Sequence, residues 1–187
     1  MEVKEAIEKR RAYRSLAPVD IDDETVASLA ESARLFCSCF NNQPWRYVFV
    51  RDREILNKMH EALSRGNEWA RAASLIIAVF SKPELDCLIR ERKYYLFDTG
   101  MATAAMILRA TELGLVAHPI AGFSPKKTKE ILGIPEEMEV ITLVIVGRRS
   151  TTINPLLSEK QAEAERERPE RIPQARFAFR DRYEDRS

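Results

Sequence analysis

Three groups of residues in this 187-residue chain have types and spacings that suit chemistry. Arg10, Arg11 and Arg14 crowd the stretch "EKRRAYRSL". A guanidinium is a planar fork of donors that meets a phosphate with paired, charge-assisted hydrogen bonds, which a lysine cannot match in geometry. A spacing of four puts Arg10 and Arg14 on one face of a first helix, with Arg11 beside them. Taken alone, the cluster also fits an ordinary solvated helix face. The second group is the amide run Asn41, Asn42 and Gln43, just before Pro44 and Trp45 in "FCSCFNNQPWRY". Each side-chain amide carries a donor and an acceptor, so a run of them can read the edge of a planar heterocycle. A polar turn feeding a strand explains Asn42 but not the whole string. The third is the small-residue loop "PIAGF" at 119–123. Together they point to a cofactor that is both planar and phosphorylated.

The sulfur chemistry reads differently. Cys37, Cys39 and Cys87 are an odd number with no disulfide framework, and Cys37 and Cys39 stand too close in sequence to bridge each other. With only His60 and His118 to add, no paired motif supplies the four ligands of a structural zinc, so no metal is expected. The cysteines are expected to be reduced and partly buried, behaving as small apolar groups. His118, next to Pro119, reads as structural, and Trp45 and Trp69 read as packing residues.

Thirty basic and twenty-nine acidic residues leave a net charge of +1, without the positive excess of a nucleic-acid binder. The arginine-rich tail is no exception: residues 159–187 hold eight basic and eight acidic side chains and read as a solvated, charge-mixed segment. Apolar residues at 45% suit a globular domain, and the longest apolar runs are too short to cross a bilayer. The first ten residues lack the apolar run of a signal peptide, so a cytoplasmic location is expected.

Periodicity places elements around these groups. Val3, Ile7 and the stem of Arg10 or Arg11 suggest a first helix. Asp22 or Asp23 caps a second, with Val26, Leu29, Ala30, Ala33 and Phe36 as its apolar stripe. Residues 45–51 read as a strand, followed by a helix capped by Asp52 and carrying Ile55, Leu56, Met59 and Leu63. The unbroken apolar runs 74–80 and 139–147 read as strands covered on both faces. Between them, a helical stretch starts at Pro83 and continues, with a possible break, to Gly114; Ser124 caps another helix. In the tail, 156–168 reads as a short helix and 177–179, with the residue before, as a short strand. Three or four strands among helices give an α+β sandwich in a single domain over 1–187. The tail from about 148 is too polar to fold alone and must lie against its own domain or a partner.

In that order, "EKRRAYRSL", "CSCFNNQPWRYVFV", "DTGMATAAMILRATELGLVAHPIAGF" and "ERIPQARF" resemble the signatures of the FMN-dependent nitroreductase family, from Ala6 to about Phe179. The resemblance implies a three-layer sandwich with a central, mainly antiparallel sheet flanked by helices, in an intertwined homodimer with two FMN sites at the subunit interface. It implies that Arg10, Arg11, Ala12 and Arg14 meet the phosphate and nearby flavin oxygens, joined by Arg171 from the C-terminal segment. It brings Cys37, Ser38, Cys39, Asn41 and Gln43 from the other subunit to the flavin and ribityl chain. It lays Pro119, Ile120, Ala121 and Gly122 along the isoalloxazine, with backbone N–H near N5, and adds Asn67 as a further contact. The tail is implied to wrap the partner.

The chain departs from the family pattern at Ala12, where a serine is usual, at Cys37-Ser38-Cys39, where Pro-Ser-Ser is usual, and at Pro169, where a second basic residue is common. The expected activity is an NAD(P)H-dependent oxidoreductase that passes electrons through FMN to a nitroaromatic, a quinone or a similar small molecule. No catalytic acid or base is expected, since the flavin carries the chemistry. The chain has no G-x-G-x-x-G after a strand, so no separate nicotinamide domain is expected. Alternatives are a flavin reductase, a dehalogenase-like enzyme or an enoate reductase, and, outside enzymes, a non-catalytic flavin-binding protein. A redox role for Cys39 stays open.

Overall fold

The computed structural model describes residues 1–184. Its centre is β3 (Leu75–Ser81), buried along its whole length as the unbroken apolar run requires. On one side β3 pairs antiparallel with β2 (Arg46–Val50), on the other with the long β5 (Glu139–Arg149). β5 also pairs antiparallel with β4 (Val116–Ile120) and, near its end, with the two-residue β1 (Leu16–Ala17).

Because side chains alternate across a strand, β3 feeds two cores at once. Ile76, Ala78 and Phe80 pack with Leu56, Met59 and Trp69 on one face. Leu75, Ile77 and Val79 pack with Leu29, Ala33 and Met106 on the other. The first face is covered by α3 (Arg53–Met59) and α5 (Pro125–Leu132), the second by α2 (Asp23–Arg34) and α4 (Tyr94–Glu112). The result is an α+β sandwich of three layers.

The helix ends follow local chemistry. Asp22 accepts from the Thr25 N–H, Asp52 from those of Glu54 and Ile55, and Ser124 from that of Lys127, as the capping residues predict. Gly114, at φ 75°, takes the left-handed position past α4. α6 (Glu159–Arg166) opens on a capping box between Ser158 and Gln161.

Several expectations are corrected. α1 (Val3–Lys9) stops before the arginines, so Arg10 and Arg14 share an extended turn and not a helical face. Val3 and Ile7, whose spacing suggested the helix, are exposed, and Ala6 is its buried residue. Phe36 lies beyond the end of α2. Among the described residues there are five strands: Pro119 and Ile120 end β4 and are not loop, because β5 supplies a long edge for them. Residues 177–179 form no strand, since no sheet edge is offered to them. Among the described residues no helix is long and apolar enough to cross a membrane.

The cysteines are the largest correction. Cys39 and Cys87 form a disulfide, with Cα atoms 6.2 Å apart, and only Cys37 is free and exposed. An odd count hid this, because a bridge spanning 48 residues of sequence depends on tertiary approach alone.

Candidate functional site

Where α1 ends, the chain turns through Arg10, Arg11, Ala12 and Arg14, and α6 comes back from the C-terminal side to face it. Between them lies a cleft of about 940 Å³ lined by these four residues, by α6, and by Arg168 and Arg171 beyond it. The carboxylate of Glu165 holds the two walls together: only 5% exposed, it accepts from the backbone N–H of Arg14 (2.7 Å) and of Ser15 (3.1 Å). Arg11 donates to the Ala164 carbonyl at 2.6 Å and stacks on Tyr13, whose ring also carries Arg149. Arg168 donates to the carbonyls of Glu8 and Arg10, which ties the tail to the end of α1.

The electrostatics of this cleft are lopsided. Burial first, then the nearby Arg168 and Arg171, hold the Arg10 guanidinium below the usual arginine pKa. Among the described residues, no carboxylate forms an ion pair with Arg10, Arg14, Arg168 or Arg171. Guanidiniums brought together without an anion of their own repel, and a phosphate relieves that repulsion with charge-assisted hydrogen bonds. Arg11, Arg168 and Arg171 already spend donors on backbone carbonyls, those of Ala164, of Glu8 and Arg10, and of Pro169.

A chain of contacts leads from this cleft to the turn after β4. Arg14 lies over the Trp69 ring, 5.9 Å from its centroid. Trp69 stacks on His118 at 4.8 Å and donates from Nε1 to the side-chain Oδ1 of Asn67. Asn67 in turn donates through Nδ2 to the Gly122 carbonyl at 2.9 Å, and Gln161 of α6 donates to Gly66. A Cβ on Gly122 would stand 2.3 Å from that Nδ2, so glycine is what lets Asn67 close on the turn. Pro119 and Ala121 are exposed beside it, whereas the Ile120 side chain is in the core and can offer a ligand only backbone.

His118 is buried, with Nδ1 3.1 Å from the Tyr13 carbonyl, an acceptor, so Nδ1 carries the proton of a neutral ring. Burial pushes its pKa down to about 4, assisted by Arg14 and Arg10, against the raising effects of the Tyr13 carbonyl and Glu165. This is a structural histidine, as its place beside a proline suggested.

The second predicted group lies elsewhere. Cys37, Ser38, Cys39, Asn41 and Gln43 form a loop at the end of the sheet where β3 finishes; the Ser81 hydroxyl donates to the Pro44 carbonyl there. Phe40, Asn41 and Gln43 all have positive φ, a conformation uncommon for residues with side chains. The Ser38 hydroxyl accepts from the Gln43 N–H, and Gln43 donates to the Asn41 carbonyl, which closes the loop on itself. Ser81 pairs with Glu139, while Leu16 pairs with Arg149 beside the arginine turn. Those positions are ten residues apart along β5, about 30 Å at the rise of a strand. One chain therefore brings Arg10, Arg11, Ala12, Arg14 and Arg171 to one end of its sheet and the amide loop to the other, with Asn67 and the 119–122 turn beside the middle of β5, where Pro119 and Ile120 pair with Val144 and Leu143.

Sequence reasoning missed Glu165, Arg168 and Tyr13. Glu165 stands among seven other acidic residues of a solvated-looking tail, and nothing in the pattern sets it apart. The helix that carries it was legible within 156–168; what the sequence does not show is that Glu165 meets the backbone of Arg14 and Ser15.

Comparison with known proteins identifies the family and the fold. The model of the "Nitroreductase family" matches residues 7–89 and 62–148. A protein of Archaeoglobus fulgidus, provisionally named NADH dehydrogenase/NAD(P)H nitroreductase, is 34% identical over 147 residues, 74% of this chain and 80% of that one. A crystal structure described as an oxidoreductase containing FMN superimposes with a TM-score of 0.84 at 27% identity, covering 98% of this chain and 94% of the other. A protein of Exiguobacterium sibiricum in complex with FMN shares the fold, with a TM-score of 0.81 at 18% identity over 97% of this chain and 98% of that one. The chain belongs to the nitroreductase family.

Proposed function

We propose that this protein is an FMN-dependent NAD(P)H oxidoreductase in which the nicotinamide and a nitroaromatic, quinone or similar acceptor use one site in turn. The observation that carries the reading is the meeting of Arg10, Arg14 and Arg171 in one cleft where, among the described residues, no carboxylate forms an ion pair with them, although Glu163, Glu167 and Glu170 also line it. Their donors suit the FMN phosphate, with Ala12 exposed in the same cleft. The turn at Pro119, Ile120, Ala121 and Gly122 offers backbone to the flavin ring, and Asn67 fixes that turn through the Gly122 carbonyl. FMN, when bound, supplies the two-electron carrier between donor and acceptor. The chain's own part is to bind, orient and shield, and no side chain is assigned as a general acid or base.

The same reading makes the active protein a homodimer. A loop carrying Asn41 and Gln43 at the far end of the sheet reaches an arginine cleft only if that cleft belongs to a second copy. Val3, Leu35, Phe40 and Phe97 are large apolar side chains left exposed on one protomer, Phe40 at 87%, and they suit burial against that copy. Nearby names support the donor: the Archaeoglobus fulgidus relative carries NAD(P)H in its name, and a Thermus thermophilus relative, 24% identical over 178 residues, is named NADH dehydrogenase.

The direct test is a spectrum of the pure protein with FMN, taken before and after NADH or NADPH is added without oxygen. A protein-bound flavin band that the nicotinamide bleaches is expected. A chain that binds no FMN, or holds FMN that neither nicotinamide reduces, would overturn the proposal.

A further inference from the structure

The strained loop at 37–43 is held from outside by Arg46, which donates to the Gln43 carbonyl at 3.0 Å, and by residues 81–98. The Cys39 N–H donates to the Asp98 carboxylate at 2.6 Å, Asn42 donates to Asp86 at 3.3 Å, and Ser81 donates to Pro44. The covalent hold is the Cys39–Cys87 disulfide. On the protomer both of its cysteines are only half-buried, which leaves a small thiol an approach to the bridge. Asp86 is 8% exposed; one of its oxygens accepts from the Cys87 N–H, while Oδ2 is buried with no hydrogen-bond partner. A carboxylate oxygen of Asp86 lies within 4.8 Å of both sulfurs. Opening the bridge would therefore create S–H donors beside a buried acceptor that has room for one.

We propose that Cys39–Cys87 is a thiol–disulfide exchange site, reduced by dithiols, that controls the loop carrying Asn41 and Gln43. A thiolate of the dithiol attacks one sulfur of the bridge, forming a mixed disulfide and releasing the other cysteine as a thiol. The second thiol of the reductant then displaces the remaining cysteine. The protein gains two electrons and two protons, and the dithiol leaves as a disulfide. Without the covalent hold, Phe40, Asn41 and Gln43 leave their left-handed conformations more readily. The consequence for the cofactor rests on the FMN reading above; the exchange chemistry and the release of the loop do not.

The test counts reactive thiols in the native protein before and after dithiothreitol and follows amide hydrogen exchange at 37–43 in the same samples. One reactive thiol, Cys37, is expected before reduction and three after. The loop amides are expected to exchange about tenfold faster once the bridge is open. Cys87→Ser should exchange fast with or without reductant, and reoxidation of the wild type should restore slow exchange. FMN affinity should fall in the reduced state. A bridge that yields only after denaturation, or loop amides that exchange equally in both states, would overturn the proposal. If neither state binds FMN, the cofactor reading fails, while the thiol count and exchange rates still decide this one.

Discussion

Arg14 and Glu165 show how much of this site depends on single side chains. Among the described residues no carboxylate pairs with the Arg14 guanidinium, whereas its backbone N–H is held by Glu165. Removing the guanidinium should therefore remove phosphate binding and leave the turn in place. Loss of one charge-assisted hydrogen bond is worth about 1.5–3 kcal/mol, so Arg14→Ala should raise the FMN dissociation constant by about ten- to a hundredfold. Riboflavin, which lacks the phosphate, should bind both proteins alike. Flavin fluorescence titration distinguishes the two outcomes, and equal losses for both ligands would place Arg14 elsewhere on the flavin. His118 makes a separate prediction. Its folded pKa of about 4 lies below the ordinary value, so between about 4 and 6.5 the unfolded chain holds the extra proton. Stability should rise with pH across that window, by at most about 3 kcal/mol from this group, and His118→Asn should flatten the slope measured by denaturant unfolding. At this scale the sequence was most informative where residue type dictates chemistry: the arginines and the amide run are visible as such. It was silent on Glu165 and on the Cys39–Cys87 bridge, whose importance comes from which distant backbone or sulfur they meet.

Secondary-structure elements were legible where apolar pattern and capping agree. The run at 74–80 became β3, and Asp22, Asp52 and Ser124 became caps. β4 was harder to see, since its proline removes a donor and only the long edge of β5 makes it a strand. The first helix was overextended because Arg10 to Arg14 fit helical spacing, while tertiary contact with α6 pulls the turn out of it. That contact should be separable by mutation. Glu165→Ala leaves two buried N–H groups without their acceptor and should destabilise the docking of α6 by about 2–5 kcal/mol. Limited proteolysis in the tail should become faster, and FMN should bind more weakly although every arginine remains; an unchanged digestion pattern would show that α6 docks by other means. Gly122→Ala acts on the opposite wall. The added methyl must displace the Asn67 amide from the Gly122 carbonyl, a loss of about 1–2 kcal/mol in thermal or denaturant unfolding.

For the whole molecule, the decisive feature is that one chain separates its two groups of chemically capable residues along the length of β5. A three-layer sandwich keeps the arginine cleft at one end and the strained amide loop at the other, and a second copy can bring them together. The arginine cluster and the amide run were readable one by one from residue type; their separation within one chain was implied only by the family resemblance, and strand register gives its length. Sedimentation at micromolar concentration should give the mass of two chains. The most direct test mixes two damaged chains, one carrying Arg10→Ala and Arg14→Ala, the other Asn41→Ala with Gln43→Ala, each weak in FMN binding alone. The FMN content of the purified hybrid is the quantity to measure. If each site draws arginines from one chain and amides from the other, the hybrid holds one undamaged site and retains one FMN tightly. A hybrid that binds FMN no better than either parent would contradict the shared site.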